Sequence, residues 1–216
     1  IVTNIKTGDQ SLVTSNGLEG VIKLSEETLA IVNGALRDDR NRIYEQDENS
    51  LFIHTLNPPL RMLIVGAVHI SQALVPMAQA AGFGVTIIDP RGSFATNERF
   101  PNVRLIDEWP DDALKALNPD LRTAVVTLTH DPKLDDPALK IALNSDAFYI
   151  GSLGSKRTHA SRLDRLADLG FDSGDFARIN APIGLDLGAT SPAEIAVSIL
   201  GEVIAAKHNK LAIGTS

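Results

Sequence analysis

The residues from Arg61 to Arg91 constrain the fold more than any other stretch of this 216-residue chain. Residues 62–65, MLIV, form a short apolar run that is typical of a strand buried on both faces of a parallel sheet, and Gly66 ends it. Apolar residues then recur at helical spacing from Ile70 to Ala81, and a second apolar run covers residues 83–88. The order strand, glycine turn, helix, glycine turn, strand predicts a βαβ unit.

An acid follows this unit, but the glycine pattern of a dinucleotide site is incomplete. Asp89 lies about 20 positions after Gly66, the spacing at which an acid meets the ribose of a dinucleotide. A turn at the end of the strand would explain Asp89 equally well. Val68 and Ser71 occupy the places of the second and third glycines, and the β-branched Val68 should crowd a phosphate. The unit therefore predicts the fold, whereas an NAD(P)-dependent oxidoreductase is only the alternative function.

The chain divides into two parts of different character. Residues 61–208 alternate between strand and helix, which predicts an α/β fold with a doubly wound, Rossmann-like parallel sheet. Residues 1–57 contain short strand-like runs and one helix, and they predict a small N-terminal α+β appendage. The stiff Asn57-Pro58-Pro59 segment is the predicted boundary, and residues 209–216 form a tail.

Composition excludes several classes of function. A net charge of -7 and a pI near 5.2 argue against nucleic acid or an anionic membrane as the main partner. The chain has no cysteine, so it can form neither a disulfide nor a thiolate metal site nor a cysteine nucleophile. No apolar run reaches transmembrane length and no secretory signal is present, so we expect a cytoplasmic protein. No set of His, Asp and Glu has a compact metal spacing, and we expect no metal site.

The loops after the predicted strands should gather at one edge of the sheet, where ligands bind in open parallel folds. The candidate ligand-binding residues in these loops are Gly66, His69, Asp89, Arg91, His130, Asp131, Gly151, Ser152, Gly154, Ser155, Lys156, Arg157 and Asp186. The segment from Gly151 to Arg157 is the best anion cradle, because its glycines free backbone N–H groups, a helix follows, and two basic residues add charge. A glycine turn followed by solvated basic residues is the structural alternative.

Each of the other candidates also has two interpretations. His69 could bind a ligand or cap the helix that follows it. His130 and Asp131 could form a ligand-facing pair, but Asp131 could equally cap the helix opened by Pro132. Arg91 could clamp an anion or lie exposed in its loop, and Asp186 could face a ligand or bond to neighbouring backbone donors. No convincing set of acid, base and nucleophile emerges, so the catalytic residues are unknown.

Six motifs in order resemble one known family. They are GAVHI, IDPR, ERFP, LTHD, YIGSLGSKRT and APIGLDLGATSPAEIA, and together they cover about residues 61–207. They resemble the XdhC/CoxI family of xanthine dehydrogenase accessory proteins. The resemblance implies a Rossmann-like domain in a maturation factor, or chaperone, that binds molybdenum cofactor (molybdopterin), assists its sulfuration and delivers it to a molybdenum hydroxylase.

The resemblance also implies the partners. These are a xanthine dehydrogenase-like client enzyme and a sulfurating enzyme, and a homodimer is a further option. A protein that only carries a cofactor needs no proton-transfer machinery, so an accessory protein is favoured over an enzyme. A non-catalytic docking subunit of a molybdenum enzyme is the second alternative, beside the NAD(P)-dependent oxidoreductase.

Overall fold

The computed structural model describes residues 1–14, 16–46 and 49–210. These form two compact units, Ile1–Pro58 and Pro59–Ser216. Most of the predicted tail lies outside the described residues.

The first unit is an antiparallel sheet with one helix. Its elements are β1 (Val2–Asn4), β2 (Gln10–Thr14), β3 (Gly17–Gly20), α1 (Glu26–Asp38), β4 (Arg42–Gln46) and β5 (Asn49–Ile53). The strand order is β3-β2-β1-β5-β4. Ser25 caps α1 by accepting a hydrogen bond from the Thr28 N–H. Val2, Val32 and Leu51 are among the residues that form its small core.

The second unit is the predicted doubly wound sheet. Its elements are β6 (Leu60–Val65), α2 (His69–Ala80), β7 (Phe83–Ile88), β8 (Arg104–Ile106), α3 (Pro110–Leu117), β9 (Thr123–Thr127), α4 (Pro132–Leu143), β10 (Tyr149–Ser152), α5 (Lys156–Asp168), α6 (Ser173–Phe176), β11 (Ile179–Asn180) and α7 (Pro192–Lys207). The strand order is β11-β10-β9-β6-β7-β8, with every pair parallel. The order reverses between β6 and β9, which makes that point the topological switch of the sheet.

The alternation of side chains along β6 explains why both faces are covered. Met62 and Ile64 point to one face, where they join a core with α2 and α7. Leu63 and Val65 point to the other face, into a core with α3, α4 and α5. A strand with both of its faces buried must be apolar throughout, and this is the pattern that the sequence shows.

Two elements of the second unit depart from the sequence-based expectations. The strand β11 and the single-turn helix α6 are too short to leave a periodic pattern, so the sequence predicts neither. In contrast, α2 continues through Pro76, which the sequence marks as a possible bend. Within the residues that the structure describes, no helix combines the length and apolar character needed to cross a membrane.

Candidate functional site

The loops after β6 and β9 meet at the switch point. Gly66 ends β6 with a φ of 112°, a conformation that residues with side chains rarely adopt. A Cβ atom on Gly66 would lie 2.8 Å from Thr129 Cγ2, in the loop after β9. Gly66 is therefore required both by its backbone conformation and by the close approach of the two loops.

Asp89 fastens the turn after β6 to the loop after β7. Its side chain is fully buried. Its Oδ2 accepts hydrogen bonds from the Ala67 N–H (2.8 Å) and Arg91 Nη2 (2.8 Å), and its Oδ1 accepts one from Arg91 Nε (2.9 Å). Burial alone would raise the pKa of the Asp89 carboxyl, but these hydrogen bonds and the charge of Arg91 outweigh it and lower the pKa. The carboxylate that spacing assigned to a ribose is thus already bonded to the protein.

Two arginines shape the loop after β7. The guanidinium of Arg91 lies over the ring of Phe94 at 4.5 Å from its centroid. Arg99 Nη1 donates to the carbonyls of Ala67 (2.9 Å) and Phe94 (2.7 Å), and Arg99 Nη2 donates to Gln72 Oε1 (3.1 Å). Arg99 therefore ties this loop to the turn after β6 and to α2, whereas part of Arg91 remains exposed at the rim.

The start of α2 has no capping side chain. Val68 is its N-cap residue in extended conformation and makes no side-chain cap hydrogen bond. His69, the first helical residue, is exposed. The hydroxyl of Ser71 donates to the Gly66 carbonyl at 2.5 Å, which holds the turn against the helix. The first N–H groups of α2 thus have no side-chain acceptor, and they combine with the positive end of the helix dipole to favour an anion.

Gly151 and Ser152 lie inside the sheet rather than on the surface of the predicted cradle. Both are buried residues of β10. A Cβ atom on Gly151 would lie 2.5 Å from Ile183 Cδ1 and 2.6 Å from the Tyr149 hydroxyl, so packing explains this glycine. The Ser152 hydroxyl is 2.5 Å from the Thr127 hydroxyl at the end of β9. These two residues hold neighbouring strand ends together beneath the loop.

The exposed part of the cradle begins at Gly154, whose φ of 142° favours glycine. Ser155 caps α5 by accepting a hydrogen bond from the Thr158 N–H at 3.2 Å. Lys156 and Arg157 occupy the first two helical positions and are exposed, and no acidic partner holds either of them among the described residues. Their charges are free to meet an anion.

His130 and Asp131 are neighbours with different roles. His130 is exposed and adopts a left-handed conformation with a φ of 62°. Asp131 Oδ1 accepts the Lys133 N–H at 2.9 Å, so the helix cap that the sequence offered as one interpretation is present. The Asp131 N–H donates to Thr129 Oγ1 at 3.0 Å. His130 is the member of the pair that faces solvent at this edge.

Asp186 lies exposed in a loop that Glu202 fixes in place. Glu202 Oε2 accepts hydrogen bonds from the Gly184 N–H (2.8 Å) and from the buried Tyr149 hydroxyl. Burial raises the pKa of Tyr149 well above its usual value, and the nearby charge of Glu202 raises it further. The Ile183 N–H donates to the Ser152 carbonyl at 3.2 Å, which brings the loop to the end of β10.

The sequence did not reveal a buried charged pair between α4 and α5. Asp135 and Arg162 are 1% and 2% exposed, and Asp135 Oδ2 lies 3.9 Å from Arg162 Nη2. Burial raises the pKa of Asp135 and lowers that of Arg162. One signal was available: each residue lies four positions before a buried leucine, Leu139 or Leu166, on the inward face of its helix.

The geometry supports binding of an anion more than bond-breaking chemistry. Helix starts and basic side chains converge on the carboxyl edge, where the hydrogen bond to Asp89 raises the pKa of Arg91 and the charge of Asp131 adds to this effect. No group of three or more His, Cys, Asp or Glu side chains within the described residues could hold a metal ion. The arrangement can therefore bind and orient a ligand with a negatively charged group.

Comparison with known proteins identifies the second unit. The model of the XdhC Rossmann domain matches residues 62–203. A Bacillus subtilis protein, named as one of the probable subunits of a xanthine dehydrogenase, is 32% identical over 74% of this chain and 47% of its own length. The Escherichia coli molybdenum cofactor insertion chaperone PaoD is 32% identical over 68% of this chain and 40% of its own length.

One solved structure resembles the chain over almost all of its length. A crystal structure of a Bacillus halodurans protein described as a xanthine dehydrogenase has a TM-score of 0.70 and 24% identity, and it covers 99% of this chain and 61% of that protein. At this identity the likeness concerns the fold. The chain spans less than half the length of the curated relatives that it matches.

Proposed function

Because the chain belongs to the XdhC Rossmann-domain family, we propose that it is a maturation factor for a molybdenum hydroxylase of the xanthine dehydrogenase type. In this role it binds molybdenum cofactor, helps its sulfuration and passes it to the enzyme. The name of its relative PaoD, a molybdenum cofactor insertion chaperone, supports the proposal. The observation that carries it is the pair of helix starts, those of α2 and α5, at one edge of the sheet.

The ligand's chemistry fits these two helix starts. Molybdopterin carries a phosphate and a polar heteroaromatic ring. Lys156 and Arg157 suit the phosphate, because charge-assisted hydrogen bonds to phosphate are the stronger kind. Further donors are the N–H groups at the uncapped start of α2 and the exposed His69. The strand before α2, β6, is two places from β10, the strand before α5, in the sheet order. The chain has no cysteine, so its own residues would hold the organic part of the cofactor rather than the metal through a thiolate.

The test is anaerobic binding of molybdopterin to the purified protein, compared with a Lys156→Gln/Arg157→Gln variant. Loss of two charge-assisted hydrogen bonds should weaken binding by about a hundredfold. A Lys140→Gln/Arg104→Gln variant is the matched control, because it also loses two exposed positive charges. Lys140 lies in the last turn of α4 and Arg104 begins β8, away from the carboxyl edge.

We expect the control to bind like the unaltered chain. Equal weakening in both variants would mean that net charge alone matters, and the cradle assignment would be wrong. No binding by the unaltered chain at micromolar protein would reject cofactor binding altogether.

An NAD(P)-dependent oxidoreductase is the second candidate, because the strand order is the one found in dinucleotide-binding folds. Two observations weigh against it. The buried Asp89 already bonds to Arg91 and Ala67 rather than waiting for a ribose, and Val68 stands where a glycine would admit the pyrophosphate. Titration with NAD and NADP should therefore show no binding, and micromolar affinity for either would favour the oxidoreductase.

The protein partners in this proposal are a xanthine dehydrogenase-like client and a sulfurating enzyme, met in the cytoplasm. Co-purification with a molybdenum hydroxylase tests the first of them. If the client is retained equally when Lys156 and Arg157 are replaced, docking is independent of the cofactor, as expected for a docking subunit. If retention depends on those residues, the chain docks as a cofactor carrier. Size-exclusion chromatography tests the homodimer.

A further inference from the structure

Asp135 and Arg162 connect two loops at the carboxyl edge. The hydroxyl of Thr129, in the loop after β9, donates a hydrogen bond to Asp135 Oδ1 at 2.6 Å. Arg162 Nη2 donates to the carbonyl of Leu153, in the loop after β10, at 2.9 Å. Between them, the two side chains approach to 3.9 Å. A buried polar chain thus runs from one ligand-facing loop to the other.

This pair is poorly built for stability. Asp135 Oδ2 and Arg162 Nε and Nη1 are buried without a hydrogen-bond partner among the described residues. Buried polar atoms without partners cost free energy, and a buried ion pair often stabilises a protein no more than apolar residues of the same size would. The well-formed hydrogen bonds of this pair are those to Thr129 and Leu153, two residues that lie in the loops after β9 and β10.

The neighbouring ion pair provides an internal comparison. Asp136 and Arg165 join the same two helices, with Arg165 Nε 2.5 Å from Asp136 Oδ2 and Arg165 Nη2 3.1 Å from Oδ1. This bidentate pair is more exposed, and among the described contacts it bonds to neither loop. Both pairs join α4 to α5, but among the described contacts only the Asp135–Arg162 pair also bonds to the loops.

We infer that Asp135 and Arg162 are positioning residues for ligand binding, which set the loops after β9 and β10 in their binding conformation. Arg162 acts on the cradle through the Leu153 carbonyl, directly before Gly154. Asp135 acts through Thr129, whose methyl group packs against Gly66 in the turn after β6. Three of the ligand-facing loops are thereby held by one buried pair. The inference rests on the proposed ligand site at this edge, but it makes a claim about the ligand-free chain as well.

The first experiment uses no ligand. Hydrogen exchange is followed by mass spectrometry in the full chain and in an Arg162→Met variant. We expect the peptides that contain residues 151–158 to exchange on the order of tenfold faster in the variant, because this loop loses its contact through Leu153 and loops that lose a supporting contact open more often. The peptides that contain residues 128–131 should also exchange faster, because Asp135, which holds that loop, loses the cation beside it. Outside these two loops and the turn after β6, the second unit should exchange as before. The Arg165→Met variant is the control, and both loops should keep their protection in it.

The second experiment measures anaerobic molybdopterin binding by the same proteins. Arg162→Met should weaken binding on the order of tenfold, the lower end of the effect that supporting contacts have at metal sites. Arg162→Lys keeps a cationic donor in the same place and should recover most of both the affinity and the loop protection. Recovery by the conservative variant separates positioning from a general loss of packing.

The two experiments give different results if the inference is wrong and if the proposed function is wrong. If the unaltered chain binds no molybdopterin, the proposed function is wrong, while the exchange measurement still decides whether the pair holds the loops. If Arg162→Met leaves both loops protected, or raises exchange evenly throughout the second unit, the inference is overturned. Should Arg162→Met fail to fold, the same comparison between Arg162→Gln and Arg165→Gln decides, with a selective loosening of the two loops expected only in the former.

Discussion

The starts of α2 and α5 look alike in sequence, since each follows a strand through a glycine turn, but they present different groups. At α2 the N-cap residue Val68 offers no acceptor, so backbone N–H groups are left for a ligand and the nearby His69 adds a titratable ring. At α5 the hydroxyl of Ser155 already satisfies a helix donor, and Lys156 and Arg157 supply exposed charge instead. One start provides backbone dipoles and the other provides side-chain charge.

This difference shows that a glycine turn does not by itself identify a phosphate site. Gly66 is needed where two loops touch, Gly151 is needed for packing inside the sheet, and Gly154 is needed for a backbone conformation. Only the groups that remain unbonded after folding can bind a ligand. How each helix start is held can be tested by substituting single residues and by changing the pH.

Asp89→Ala should cause the largest loss, because the turn at α2 depends on its carboxylate. Removal leaves Arg91 and the Ala67 N–H without their acceptor, and we expect a loss of about 3 kcal/mol in the free energy of unfolding at pH 7. Urea unfolding measures it, with the exposed Asp186→Ala as a control that should stay within about 0.5 kcal/mol.

The same pair of proteins also gives a pH test. The folded pKa of Asp89 is lowered, so its stabilisation is present above the unfolded value of about 3.9 and is lost as pH falls through the folded pKa. The difference between the unaltered chain and Asp89→Ala should therefore be largest near neutral pH and shrink below pH 4. A gap that grew in acid would contradict the assigned role of the carboxylate.

Gly66→Ala should cost about 2 kcal/mol, because the new Cβ meets Thr129 and the φ of 112° is strained for alanine. Gly154→Ala at the α5 turn should cost less, about 1 kcal/mol, since its Cβ would be 3.1 Å from the Thr158 methyl group, which can move slightly. Thermal or urea unfolding would rank the two. Gly92→Ala, where nothing lies within 4 Å, serves as the control. The reverse ranking would mean that the α2 turn is the more adaptable one.

Ser155→Ala should lower the free energy of unfolding by about 1 kcal/mol, because the Thr158 N–H loses its side-chain acceptor. Ser161→Ala, in the interior of the same helix, should be neutral or stabilising by a few tenths, about 0.5 kcal/mol at most, since alanine has the higher helix propensity. Equal effects at the two positions would show that the cap of α5 is not formed in solution, and the contrast with α2 would disappear.

The start of a third helix, α7, should make the smallest contribution to stability, and it can be followed through the pKa of one carboxyl group. In α7, hydrogen bonds from the Ser191 and Thr190 backbone N–H groups lower the pKa of Glu194 to about 2. Its contribution is present above the unfolded pKa, 4.5, and fades as pH falls toward 2. An NMR titration should therefore find the Glu194 carboxyl still ionised at pH 3. An ordinary midpoint near 4.5 would show that this capping box is open.

Much of the fold was predictable from local pattern. Apolar runs such as residues 83–88 and helical periodicity identified most elements of the second unit. Two elements of this unit were missed for a physical reason. The strand β11 has two residues and α6 has four, so the stability of each comes from neighbours and not from its own sequence.

The site was less predictable, because a sequence contains many polar groups without showing which of them will bond to one another. The sequence determined the parallel sheet, the loops at its carboxyl edge and the family motifs that these loops carry. The packed structure was needed to show that Asp89 is bonded to Arg91, that Gly151 and Ser152 lie inside the sheet, and that Asp135 and Arg162 meet across two helices. Periodicity reports which face of an element is buried, whereas hydrogen bonding between elements depends on distances that arise only once the chain has packed.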